Sequence, residues 1–131
     1  MTERKIVLSQ QAPAPIGPYS QAVEAAGFVF CSGQIPLDPA TGKLVEGPLE
    51  IQAQRVLDNL QAVLQAAGTG LENTVKITVF VTDLGDFEAL NKVMAARFKE
   101  LPPARAVVQV TALPKGARLE MDLIALKRGS I

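Results

Sequence analysis

An arginine set behind a proline pair and a glutamate set inside an apolar run are the two side chains of this sequence best placed to do chemistry. The first is Arg105 in "LPPARAVVQV", where Pro102 and Pro103 hold the chain extended and present a guanidinium from a rigid strand start. A guanidinium so placed suits bidentate pairing with a planar carboxylate, a charge-assisted contact worth about 1.5 to 3 kcal/mol. That carboxylate can be a ligand's or can belong to an acid of the same protein. The second is Glu120 in "ARLEMDLIAL", where strand alternation turns Leu119 and Met121 toward the helices and aims Glu120 and Asp122 at the opposite side. A carboxyl group in a partly desolvated cleft can have a raised pKa and serve as general base or orient water. Glu120 could equally be the acid that neutralises Arg105, and residue types alone leave both roles open.

Lesser candidates surround these two. Tyr19, the single tyrosine, follows Gly17-Pro18 in a proline-rich loop, so its phenol either caps a pocket or packs half-buried. Ser32 and Gly33 end an apolar run before Gln34, a spot where backbone can approach a ligand closely. Cys31 lies in that run with no base nearby and reads as an inert core thiol. Asn91 falls in a helical segment as a surface or hydrogen-bonding residue. "GTG" at 68–70 is no phosphate loop, because it follows a helix instead of opening one.

Composition narrows the chemistry. The chain has no histidine, which removes histidine triads, HExxH zinc sites and imidazole bases, and a lone cysteine removes disulfides and multi-cysteine metal sites. Any enzyme chemistry therefore rests on Arg, Lys, Asp, Glu, Tyr, Ser, Thr, Cys or backbone groups. Thirteen Lys and Arg balance thirteen Asp and Glu, so no basic field collects nucleic acid or anionic membrane, and any bound anion must be met locally. "MTERKIVLSQ" has no apolar signal core and no run approaches the ~20 apolar residues of a membrane span, so a cytoplasmic protein is expected. The 131 residues fit one domain, 1–131.

The elements that must position these side chains follow from periodicity. After a short apolar run, Lys5 to Leu8, and the proline-rich loop, Tyr19 to Ala25 and Phe28 to Gly33 flank the turn Ala26-Gly27 as a hairpin. Ala53, Leu57, Leu60, Leu64 and Ala67 form one helical stripe, which predicts a helix over Pro48 to Ala67 with Gly68 as its left-handed cap. Thr74 to Thr82 alternates Val75, Ile77, Val79 and Val81 against Lys76, Thr78 and Phe80, a strand. A second helix opens at Asp83 or Asp86, carries Phe87, Leu90, Met94, Phe98 and Leu101 on one side, and stops at Pro102-Pro103. Strands over Ala106 to Val110 and Arg118 to Lys127 flank a turn at Pro114 to Gly116. The order is ββαββαββ if the first short run counts and ββαβαββ if it does not. Either way the fold class is α+β, a single sheet of mostly hairpin-linked strands with two helices packed on one face. Lys76, Thr78 and Phe80, together with Arg105, Val107 and Gln109 and with Glu120, Asp122 and Ile124, are expected on the other face. That mixture is too apolar for a solvent surface, so a second copy is expected to cover it.

The stretches "APAPIGPYSQAV", "FCSGQIPLDPATGKLV", "QAQRVLDNLQAVLQAAG", "TVKITVFVTDLGDFEALN", "PPARAVVQV" and "LPKGARLEMDLIAL", taken in order over nearly the whole chain, resemble the Rid family of enamine/imine deaminases, also called YjgF or liver perchloric-acid-soluble proteins. The resemblance implies a chorismate-mutase-like fold, a homotrimer whose sheets form a central barrel, and pockets between subunits. It also implies cofactor-free hydrolysis of small 2-imino acids or their enamine tautomers to 2-oxo acids and ammonia. Carried over by motif, Arg105 would bind the substrate carboxylate and Glu120 would hold or activate water. Tyr19, Ser32 and Gly33 would line the pocket, Val107 would contribute its backbone N–H, and Asn91 would give support. Many members have cysteine where this chain has Val107, which excludes a thiol role, and the compact "FKELPPAR" would reshape the pocket rim. Two other functions use the same residues or the same lineage: a non-catalytic regulator that binds a small carboxylate, and a ribonuclease or translation inhibitor, which the neutral, histidine-free composition disfavours.

Overall fold

The β-branched and apolar alternation of the strand segments is realised as one six-stranded sheet, seen in a computed structural model that describes residues 3–127. The strands are β1 (Lys5–Val7), β2 (Ala22–Ala25), β3 (Phe28–Gln34), β4 (Thr74–Val81), β5 (Ala104–Gln109) and β6 (Leu119–Leu126), with helices α1 (Leu49–Ala66) and α2 (Phe87–Arg97). Across the sheet the order is β1-β2-β3-β6-β4-β5, so β1 and β5 are its edges. Three strands precede α1 and one separates the helices, so the order is βββαβαββ. The expected ββαββαββ is corrected, while ββαβαββ holds once β1 is added in front.

The hairpin turn is where it was expected. Ala26 (φ 54°) and Gly27 (φ 85°) both adopt positive φ, the backbone that suits a two-residue connection. It is the one tight hairpin of the described sheet, because β4 and β5 run parallel through α2 and β6 returns between β3 and β4. The sheet is therefore mixed, and the expectation of mostly hairpin-linked strands fails. Both helices lie on one face, as expected. α1 buries Ala53, Val56, Leu57, Leu60, Val63 and Leu64 completely against Val29, Ile77, Val79, Leu119 and Ala125 of the sheet. Gly68 follows with φ 82°, the left-handed conformation that ends the helix. α2 buries Leu90 and Met94, and Phe98 directly after it is buried too, but the helix ends at Arg97 and leaves Leu101 on the surface, short of the proline pair. Val75 also departs from its alternation: a bulge between Thr74 and Lys76 turns it outward and leaves Ile77, Val79 and Val81 as the buried row.

Candidate active site

Arg105 stands on the edge strand, and its direction is set by β4. In the parallel β4–β5 ladder Arg105, Val107 and Gln109 lie beside Ile77, Val79 and Val81, the row that faces the helices. The sequence placed these three on the open face, and the structure corrects this, because the parallel register could not be read from β5 alone. Val107 accordingly packs on the core, and Arg105 reaches α2, where its Nη1 donates to Asn91 Oδ1 at 2.7 Å. Its guanidinium carbon lies 5.5 Å from the centre of the Phe87 ring, a cation–π contact that holds the fork in place. The other guanidinium N–H groups have no partner among the described residues. Val110 N donates to Val81 O, so by alternation the N–H groups of Arg105, Val107 and Gln109 point out of the free sheet edge. Arg105 and Asn91 line a cavity of about 310 Å3 with Met94, Ala95, Phe98, Pro102 and Pro103.

Glu120 stands on the opposite face. It pairs with Phe80 in the β4–β6 ladder, and Asp122 and Ile124 follow on the same side beside Thr78 and Lys76. Its neighbours Leu119 and Met121 are completely buried, as alternation requires. Burial, and secondarily the charge of Asp122, raises the Glu120 pKa above its ordinary value; burial likewise raises that of Asp122. Tyr19, Gly33, Gln34, Pro114 and Lys115 line a second cavity of about 180 Å3 with Glu120. Gly33 is there for a steric reason: a Cβ at that position would fall 2.7 Å from Glu120 Cδ. The Tyr19 phenolic oxygen accepts from Ile16 N at 3.2 Å, which folds the proline-rich loop over this cavity. Ser32 Oγ donates to Ser20 O at 2.6 Å and is tied to the backbone beside the cavity. Cys31 is the core thiol expected, its pKa pushed up to about 12 by burial and then by Asp122.

Gln21 was not singled out by its sequence. It is almost completely buried, accepts from Ser9 N at 2.6 Å and donates to Ser9 O at 3.2 Å and to Pro13 O at 2.9 Å. One amide therefore fastens the loop that carries Tyr19. The available signal was a glutamine directly before an apolar strand and after a loop too rich in proline to satisfy its own carbonyls.

Arg105 and Glu120 do not meet within one chain. β4 lies between their strands, their places along β4 are three residues apart at Ile77 and Phe80, and they project from opposite faces. Three residues along a strand and two strand spacings across separate their Cα atoms by roughly 14 Å. The reading in which Glu120 neutralises Arg105 inside one chain is overturned, and Asn91 and Phe87 take that place. Each half thus presents a functional group to the outside, one at a sheet edge and one on an open face where Phe30, Val108 and Leu126 are exposed.

Residues 9–127 match the family described as Endoribonuclease L-PSP. The chain belongs to this family, also known as YjgF or Rid. Among curated relatives, protein DfrA of Myxococcus xanthus is 54% identical over 125 residues, covering 94% of this chain and 95% of that one. The mouse 2-iminobutanoate/2-iminopropanoate deaminase is 44% identical over 124 residues, covering 95% and 92%. Among solved structures, E. coli TdcF with bound serine superposes with a TM-score of 0.87 at 42% identity, covering 93% of this chain and 98% of that one. The two helices on a single mixed sheet are therefore the fold of solved Rid-family structures. Among the described residues of this Rid-family chain no helix is long and apolar enough to cross a membrane, and no three His, Cys, Asp or Glu side chains are grouped to hold a metal ion.

Proposed function

We propose that this protein hydrolyses reactive 2-imino acids and their enamine tautomers, among them 2-iminobutanoate, 2-iminopropanoate and 2-aminoacrylate, to 2-oxo acids and ammonia. It does so in the cytoplasm as a homotrimer, without metal or cofactor and with no nucleic-acid partner. The observation that carries this reading is the division of the site: a pre-oriented Arg105 at a free edge and a partly desolvated Glu120 on an open face, on opposite sides of one chain. A second copy, docking its open face near the β5 edge, brings its own Glu120 to the first copy's Arg105. Mouse and goat relatives named 2-iminobutanoate/2-iminopropanoate deaminase support the chemistry.

The reaction asks little of the protein. Arg105 holds the substrate carboxylate by charge-assisted hydrogen bonds, with Asn91 keeping the guanidinium aimed and the Val107 N–H available at the edge. Starting from the protonated imine, ionised Glu120 of a second copy accepts a proton from water as the water oxygen bonds to the imine carbon and the C=N π electrons return to nitrogen, giving a neutral carbinolamine. Glu120 then returns its proton to the carbinolamine nitrogen, the C–N bond breaks to release ammonia, and the hydroxyl loses its proton to solvent as it becomes the carbonyl of the 2-oxo acid. An enamine first takes a proton on carbon to become the imine. Tyr19 and Gly33 shape the wall around the water, and Ser32 fixes the backbone beside it.

The test is ammonia and 2-oxobutanoate release from 2-iminobutanoate generated in situ by an amino-acid oxidase. Wild type should accelerate release, and Arg105→Ala and Glu120→Ala should each abolish the acceleration. A wild-type oligomer that accelerates nothing, but binds 2-oxobutanoate through Arg105, would make the protein a carboxylate-binding regulator instead. The serine held by TdcF is the observation that favours that second reading.

A further inference from the structure

Asp122 sits at the centre of the open face with nothing to answer its charge. β6 has three strands on one side and two on the other, so Asp122 cannot reach solvent around a sheet edge once that face is covered. On one flank lies an apolar row that crosses four strands: Ile6 pairs with Val23, Val23 with Phe30, and Phe30 with Ile124. β4 presents Thr78 directly beside Asp122, and β3 presents Phe30 and Ser32, whose hydroxyl is committed to Ser20 O. Charged groups near it are few. Glu120 is two residues away on β6, and Lys76 is a diagonal neighbour about 7 Å away on β4 that makes no ion pair with it. Cys31 points into the core behind it and stays a neutral thiol. No hydrogen bond among the described residues involves the Asp122 carboxylate, and burial already raises its pKa in the single chain.

In the shared pocket the charge of Glu120 is offset by Arg105 of a second copy. Asp122 has no such counterpart: among the described residues of the rows around it Lys76 is the one cation, and its ammonium is exposed on a long stem that keeps it in water. A carboxylate covered without a partner loses hydration that nothing replaces, and a proton removes the charge at once. We propose that assembly of this chain is proton-linked through Asp122: when a second copy covers the open face, Asp122 takes a proton from solvent, so the oligomer tightens as pH falls and loosens as pH rises. This rests on the shared-pocket assembly and gives it a control, because loosening parts Arg105 of one copy from Glu120 of the next. A carboxyl that holds its proton more tightly when assembled favours assembly below its free value and stops doing so as pH rises through its assembled value. Between the two, each copy raises the dissociation constant by up to about tenfold per pH unit.

The experiment mixes two isotopically distinct batches of the full chain and follows subunit exchange by native mass spectrometry from about pH 5.5 to about pH 8, in urea below the unfolding transition so that exchange completes within hours. Wild type should exchange at least about tenfold faster at the upper pH. Asp122→Asn, the uncharged isostere of the protonated carboxyl, should remain assembled and exchange slowly at both ends, within about threefold. Glu120→Gln should keep the wild-type slope, since Arg105 of a second copy offsets that charge. An oligomer whose exchange is flat with pH, a slope that survives in Asp122→Asn, or an Asp122→Asn chain that folds but no longer assembles overturns the inference and leaves the shared assembly of the wild type standing. Exchange that quickens as pH falls, and turns flat in Lys76→Met, overturns it in favour of an ion pair between Asp122 and Lys76 of a second copy. A single-chain mass at every pH overturns the assembly and the inference together, and the imine assay then judges the deaminase reading alone.

Discussion

Gly33→Ala tests whether Glu120 works through its position. The added Cβ would lie 2.7 Å from Glu120 Cδ and 3.1 Å from Cγ, where carbon–carbon contacts settle at about 3.5 to 4.0 Å. The carboxylate must retreat by about 1 Å, and a displacement of that size at a reacting group costs about a hundredfold in rate. Folding should scarcely notice: Gly33 does not occupy the left-handed region, and the displaced atoms are the free end of a side chain beside a cavity. Stability should change by less than about 1 kcal/mol, since alanine also restricts the unfolded chain. The assay pairs kcat for 2-iminobutanoate with thermal unfolding. The decisive arm is a double-mutant cycle, because in a Glu120→Gln background the same substitution should cost no more than about threefold further. Activity within about threefold of wild type in Gly33→Ala, with Glu120→Gln inactive, would refute the steric reasoning.

Gln21→Leu removes one side chain that makes three buried hydrogen bonds, so it should lower unfolding free energy by about 2 to 3 kcal/mol in urea titrations and raise KM by loosening the loop of Tyr19. If Glu120 acts ionised as proposed, its pKa above the ordinary 4.5 sets the acid limb of kcat above that value, and Asp122→Asn should move the limb down by removing one of the two causes. The stability sign runs the other way: a carboxyl with a raised folded pKa contributes most below the ordinary value and loses that contribution as pH rises through the raised one. Glu120→Gln should therefore flatten the decline in stability with rising pH, read from urea midpoints. Phe30→Glu puts a charge on the open face between Val23 and Ile124, and sedimentation should find a folded, inactive monomer.

Legibility in the sequence tracked local physics. α1 could be placed within a residue at either end because its apolar stripe and Gly68 are both local signals, and the β2–β3 turn because Ala26-Gly27 is one too. The misplacement of Arg105, Val107 and Gln109 has a different origin. Strand period assigns residues to two faces but does not say which face is which, and on an exposed edge strand such as β5 no run of buried residues breaks the tie. The parallel β4–β5 register breaks it, and that register is set by the crossover through α2, a contact distant in sequence. Gln21 was missed because its partners, Ser9 and Pro13, are found only once the loop has folded back.

The division of the site across one chain leads to a complementation experiment that separates a shared pocket from a single-chain one. In a ring of three identical copies, each pocket would take Arg105 from one copy and Glu120 from the next. Arg105→Ala and Glu120→Gln chains would each be inactive alone, for lack of one half in every pocket. Co-refolded at equal amounts, a pocket becomes complete when a Glu120→Gln chain supplies its Arg105 and an Arg105→Ala chain supplies its Glu120. Random assembly makes that so in about one pocket in four, giving about a quarter of wild-type activity. Chains mixed without refolding should recover this activity only as fast as subunits exchange. If both side chains had to come from the same copy, no mixture would recover anything. The register of β4 with its two neighbours sets Arg105 and Glu120 on opposite faces of one chain, so recovery is the expected result and its absence would refute the shared pocket.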